Sequence, residues 1–177
     1  MPKTDRAEIF PVVDTDGRVT GSATRGQCHD GKSMLLHPVV HLHVVSNDKR
    51  SILLQRRSLS KDIQPGRWDT AVGGHVDYGE SVDEALQREA REELGIDASE
   101  AVALCRYEWR SERERELVNV HVLAADPSEL TVTPDPDEVD EARFWTLVEI
   151  EEARGLGVLT PNLERELDRI LPLIEQL

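Results

Sequence analysis

Cysteine is scarce: the 177 residues hold only Cys28 and Cys105. That excludes a disulfide framework and a cysteine-based zinc site, so the fold must rest on a packed core. No apolar run approaches the roughly 18 residues needed to cross a bilayer, and the opening MPKTDRAEIF lacks the apolar centre of a secretory leader. A cytoplasmic protein without a membrane partner is expected. Aromatics make up only 4%, and Trp68, Trp109, Tyr107 and Phe144 read as packing groups rather than as a stacking platform for a base. Positive charge is also short, with 21 Lys plus Arg against 35 acids, a net charge of -14. Duplex nucleic acid rewards clustered cations and is excluded as a partner of the bulk surface. An anionic small ligand needs a local positive patch or bound cations.

Against these absences stands a 38% hydrophobic share, enough for the core of one domain. The segment from Glu8 to Arg25 alternates short apolar pieces around Asp16-Gly17, a hairpin signal. Residues 39–45 and 51–55 read as a second hairpin, and 68–72, 101–107, 117–123 and 143–146 as further strands. Residues 133–141, TPDPDEVDE, read as an exposed acidic loop. Thr160-Pro161 opens a last helix whose Leu163, Leu167, Ile170, Leu171 and Ile174 keep helical spacing, so that element is read as core packing. The pattern is α+β.

The stretch from Gly74 to Ile96 is dense in carboxylates. Ser81 with Glu84 forms a capping box and Gly95 suits the position after the last turn, which predicts a helix over 82–94. At about 100° per residue, with Glu89 at zero, Glu93 falls near 40° and Glu92 near -60°, among Val82, Ala85, Leu86 and Ala90. All three glutamates are thus expected on the apolar face, while Asp83, Glu84, Gln87 and Arg91 form the solvated side. Two carboxylates about 5 Å apart repel by about 3 kcal/mol at an effective dielectric of about 20. A divalent cation is the simplest neutraliser, and oxygen ligands without cysteine suit Mg²⁺ or Mn²⁺ bridging substrate phosphates.

Gly74, Glu80, Arg88, Glu89, Glu92, Glu93, Gly95 and Ile96 occur at the spacing of the Nudix box, so the chain resembles the Nudix hydrolase family. Ala90 is smaller than the aliphatic residue usual at its place. The resemblance implies an α/β/α sandwich around a mixed sheet within a single domain, 1–177, with a small β extension over 1–35 and the Nudix core over 36–177. It implies that Glu89, Glu92 and Glu93 bind the metal and position or deprotonate the attacking water, and that the Gly73 carbonyl completes the metal shell. Arg88 then orients the glutamates, Glu80 acts from behind them, and Glu138 is a candidate acid from a later loop. Homodimers are frequent among such relatives.

A narrower likeness joins Arg57 through Lys61, Pro65 through Trp68, Gly74-His75, Arg25, His29, His37, Glu114 and Glu116. These resemble isopentenyl diphosphate isomerase and its hydrolase relatives. The likeness makes Arg57 and Lys61 phosphate-binding candidates, and His29, His37, His75, Glu114 and Glu116 a second metal site. The isomerase's catalytic cysteine, however, is here Gly73. The expected function is metal-dependent hydrolysis of a diphosphate linkage in a nucleoside diphosphate derivative or related small molecule. The alternatives are an isomerase and a noncatalytic Nudix module that senses a ligand.

Overall fold

The computed structural model describes residues 8–177; residues 1–7 of the expected extension lie outside the described residues. Strands β1 (Ile9–Val13) and β2 (Val19–Thr24) form the antiparallel N-terminal hairpin. A one-turn helix α1 (Arg25–Cys28), which the sequence reading did not anticipate, follows from a Thr24/Gln27 capping box.

Seven strands build the mixed central sheet. Its spine is β3 (Leu36–Ser46), buried along nearly its whole length because helices cover both sheet faces. β3 runs parallel to β8 (Arg115–Ala125), which pairs antiparallel with β7 (Val102–Arg110). The hairpin to β4 (Ser51–Arg57) holds only two registered pairs, Val44 with Leu53 and Val45 with Ile52. Beyond them the strands splay. The sequence reading expected one strand over 68–72. Instead the chain pairs β5 (Trp68–Thr70) with β4, bends at the fully buried Ala71, and pairs β6 (Val72–His75) with β3. The divergence of β3 from β4 leaves their facing edges unpaired, and the bent segment satisfies each edge in turn.

β9 (Val139–Thr146) closes the far edge of β4 and begins four residues earlier than the sequence suggested. The acidic loop before it is tied down: the Thr133 N–H donates to the Leu94 carbonyl at 2.8 Å and the Asp135 N–H to the Glu93 carbonyl at 2.9 Å. Both bonds satisfy last-turn carbonyls of α2 (Val82–Leu94). Ala85, Leu86, Ala90 and Leu94 of α2 pack on Val40, Leu42 and Val44 of one sheet face. The opposite face, with Val39 and Val45, is covered by α3 (Leu147–Ala153), also unforeseen, and α4 (Pro161–Ile174). The result is the expected α/β/α layering.

Helix α2 ends as its sequence predicts. Gly95 is left-handed (φ 64°), and its N–H reaches the Ala90 and Arg91 carbonyls. A Cβ there would also lie 3.2 Å from that of Thr133. Gly95→Ala is therefore expected to cost about 1–2 kcal/mol, lowering the thermal midpoint by about 2–8 °C. A calorimetric scan with no change would refute this account.

Candidate active site

β6 carries two glycines whose missing side chains face opposite sides of the sheet. On the α2 side, a Cβ at Gly74 would lie within 2.5 Å of Glu89 Cγ and nearer still to its carboxyl group. Only glycine lets this strand and the α2 carboxylates approach so closely. Glu93 lies beside the same strand. Its Oε2 accepts from Gln55 Nε2 at 2.8 Å and from the Gly73 N–H at 3.4 Å. Burial and then the neighbouring Glu89 charge push the Glu93 carboxyl up to about 8.

Arg88 braces Glu89. It donates to both Glu80 oxygens at 2.8 and 2.9 Å, to Glu89 Oε1 at 2.6 Å and to the His75 carbonyl at 3.0 Å. Glu80 in turn accepts the Asp77 N–H at 3.0 Å, so the turn before α2 is tied to the same arginine. One correction concerns Glu92. The wheel put it with Glu89 and Glu93 on the inner face, but its side chain is 43% exposed, against 15% for Glu89, with an oxygen 3.6 Å from Arg88. Its offset of about 60° from Glu89 suffices to swing it to the rim.

The other candidates fall in two places. Lys61 pairs directly with Glu138, and Glu138 is near enough to raise the Glu93 pKa. Arg57 lies 3.4 Å from Asp69 and donates to the Ile63 carbonyl at 3.0 Å. Both expected phosphate cations thus already hold protein partners, which a phosphate would have to displace or share.

On the α4 face, His29, His37, His75 and Glu116 bring their ligand atoms within 4.8 Å of one another. The parallel register sets His37 beside Glu116, and the antiparallel one puts His75 beside Val39, two residues on along β3. Glu114 stands behind, 2.8 Å from His29 Nε2. Phe10 of β1 stacks on His75 with ring centres 4.5 Å apart. His37 is fully buried, its Nδ1 turned to the Leu35 carbonyl at 2.9 Å and its Nε2 without a partner. A buried, orphaned imidazole nitrogen aimed among two histidines and a carboxylate fits a metal ion. Burial keeps His37 and His75 below the usual imidazole range, leaving neutral donors, while burial and Glu114 push Glu116 up to about 7.

Sequence reasoning missed two features. Gln55 holds Glu93, and the only signal was a polar residue ending an aliphatic strand. The last helix is more than core packing, because Glu166 sits within its apolar stripe and is 2% exposed. It accepts from His41 Nδ1 at 2.8 Å, from His43 Nε2 at 2.5 Å and from the Tyr107 hydroxyl. Burial would lower the His41 pKa, but the Glu166 carboxylate overrides it and raises it to about 9. Alternation of His41 and His43 on one strand face was the available sign. Trp68 meets Trp145 edge-on at 5.1 Å, and Trp109 lies under Arg165, so both are engaged in packing within the chain.

Comparison with known proteins gives three likenesses and a family match. The NUDIX domain model matches residues 36–171. A Photobacterium profundum protein named isopentenyl-diphosphate Delta-isomerase is 30% identical over 161 residues, 88% of this chain and 87% of its own length. One of the same name from Mycolicibacterium vanbaalenii is 40% identical over 96 residues, and the matched stretch covers 54% of this chain and about half (52%) of that relative. The crystal structure of DR0079 from Deinococcus radiodurans superposes with a TM-score of 0.75 at 23% identity, covering 92% of this chain and 98% of that one. No described helix is long and apolar enough to cross a membrane.

Proposed function

This chain belongs to the NUDIX domain family, and from that premise we propose that it hydrolyses a diphosphate linkage in a nucleoside diphosphate derivative or related small molecule, using a divalent metal. The observation that carries this reading is the pair Glu89 and Glu93 set against the Gly73-Gly74 strand, Glu89 braced by Arg88, which Glu80 holds in turn, and Glu93 held by Gln55. Arg88 already neutralises Glu89, whereas burial and the Glu89 charge oppose ionisation of Glu93, and a divalent cation beside both would favour their anionic forms. Glu89, Glu93 and the Gly73 carbonyl would hold Mg²⁺ or Mn²⁺ there, with Glu92 at the rim. Bound, the ion would polarise the phosphoryl group and lower the pKa of water.

The chain's own residues supply the rest. Arg88 holds Glu89 in place, Gln55 and the Gly73 N–H hold Glu93, and one of the box glutamates takes the proton of the attacking water. Arg57, at the end of β4, and Lys61, in the loop from β4 to β5, receive the phosphate chain, trading their contacts with Asp69 and Glu138 for substrate oxygens. The substrate is a small molecule, and the acidic surface argues against duplex nucleic acid.

The isomerase reading is favoured by the names of the relatives and by the histidine cluster, which suits an imidazole-preferring ion such as Mn²⁺. Against it stands Gly73, which offers no thiol. Cys28 is no substitute, being buried, with burial and Asp30 pushing its thiol up to about 11.

A panel of nucleoside diphosphates, nucleotide sugars and dinucleoside polyphosphates decides the matter. Phosphate or nucleoside monophosphate release with Mg²⁺ or Mn²⁺, lost on adding EDTA, is expected. Metal-independent turnover contradicts the reading, and conversion of isopentenyl to dimethylallyl diphosphate replaces it. Because the metal-free protein holds the Glu93 proton below about pH 8, metal binding at pH 7 should release a proton from this site. Titration calorimetry in buffers of different ionisation enthalpy measures it; no buffer dependence would refute the Glu93 assignment.

A further inference from the structure

We propose that the outer edge of β7 is a docking site for an extended acidic segment of a partner protein, which adds to the central sheet as a further strand. Three observations carry the inference.

The first is the edge itself. β7 ends one side of the sheet and pairs only with β8. Among the described residues, no hydrogen bond outside that pairing reaches its backbone, and none of its nine residues is buried. Natural edges are commonly blunted by proline, lysine, shortness or bulges. β7 has neither proline nor lysine, and its one bulge, between Ala103 and Cys105, leaves 105–110 regular. Its outward N–H and C=O groups are therefore open to pairing with another strand.

The second is charge. Alternation puts Arg106 and Arg110 on the face of β7 opposite Tyr107 and Trp109, while Arg165 and Arg169 of α4 lie over those two rings. All four arginines are exposed, and none forms an ion pair with a described carboxylate. Glu108, the one acid of the strand, is already held by Arg115 at 2.6 Å. In a chain of net charge -14, four guanidiniums without counter-ions flank one open edge on both its faces. Carboxylates on a docked strand would supply the missing charge across the seam.

The third is order. Arg169 lies 4.4 Å from the centre of the Tyr107 ring and Arg165 lies 5.2 Å from that of Trp109. Stacking holds both guanidiniums beside the strand with their N–H donors still available. Tyr107 is anchored in turn, since its hydroxyl donates to the buried Glu166. Cations set in place beforehand lower the ordering cost of binding.

A second copy of this chain suits the edge poorly, because antiparallel pairing of two β7 strands gathers Arg165 and Arg169 of both copies on one face. Single-stranded nucleic acid supplies negative charge but no peptide groups to match the edge.

The test uses the full chain in low salt and a capped peptide of alternating Glu and Val, about seven residues long. Fluorescence anisotropy should show saturable binding that weakens on the order of 10-fold in the Arg165→Gln, Arg169→Gln double variant and falls further as salt rises. The same peptide N-methylated throughout keeps its charge but cannot pair, and should not bind. In the wild type, hydrogen exchange of the alternate amides within 102–110 that do not bond β8 should slow on the order of 10-fold when peptide is added. Absent binding, binding that survives N-methylation, undiminished affinity in the double variant, or unchanged exchange of β7 overturns the proposal. So does β7 protection that grows with protein concentration alone, which assigns the edge to a second copy, or the same protection by oligothymidine, which assigns it to nucleic acid. The wild-type exchange measurement decides the matter even if the double variant fails to fold.

Discussion

Glu93→Gln is expected to lower turnover on the order of 10³-fold, about 4 kcal/mol of lost transition-state stabilisation, while making the metal-free protein more stable at alkaline pH. The amide keeps the shape of the side chain and its contacts with Gln55 and Gly73, so the fold has no reason to change. In the wild type the folded-state pKa of Glu93 is raised from 4.5 to about 8. Between those values the folded chain holds a proton that the unfolded chain has released, so stability falls as pH rises through that window and then levels off. Glutamine has no proton to lose, and the variant should gain on the order of a few kcal/mol over wild type near pH 8.5 and little near pH 5. Denaturant melts in EDTA across pH 5 to 8.5, with steady-state rates in Mn²⁺, check both halves. Glu89→Gln should show a comparable loss of rate. A Glu93→Gln enzyme that keeps a tenth of the wild-type rate would remove Glu93 from the chemistry.

Gly74→Ala carries the second large effect. The added methyl group would overlap the Glu89 carboxyl, and that side chain cannot swing freely because Arg88 grips it at 2.6 Å. Either the helix moves off the strand or Glu89 leaves Arg88. Overpacking of this kind costs about 1–3 kcal/mol, and, on the proposed role of Glu89, displacing its carboxylate by about 1 Å costs on the order of 100-fold in rate. Gly73→Ala is the stability control, since its methyl group would meet only ordinary contacts. Equal melting temperatures for the two variants would show that the strand–helix approach at Gly74 is slack.

How much of this was legible in the sequence follows from the range of the interactions involved. Helix α2 was readable to the residue because Ser81, Glu84 and Gly95 act within a few positions of one another, and the box fell into place around it. The layered fold came with the resemblance. Long-range partnerships were not readable. His41 and Glu166 stand 125 residues apart, and no local pattern says that the one polar residue in the last helix's stripe will meet a particular strand. The division of 68–72 into two strands was invisible because it answers to the splay of β3 from β4, a property of the assembled sheet. Helix α3 was overlooked although its Thr146/Glu149 capping box is local and could have been read. The exposure of Glu92 shows where helical-wheel reasoning stops: an angle of about 60° separates buried from rim, and a wheel has no means of saying how wide the covered arc is.

The roof that Phe10 forms over His75 gives the N-terminal hairpin a role that its sequence only hints at. A chain trimmed to residues 36–171, the span of the family match, would retain every box glutamate together with His37, His75 and Glu116, yet forfeit His29 and leave the imidazoles open to water. On the proposed metal reading, the appendage would supply one of the four clustered ligands, His29, and the Phe10 cover over them, so two proteins sharing the same fold could differ in metal content through their first 35 residues alone.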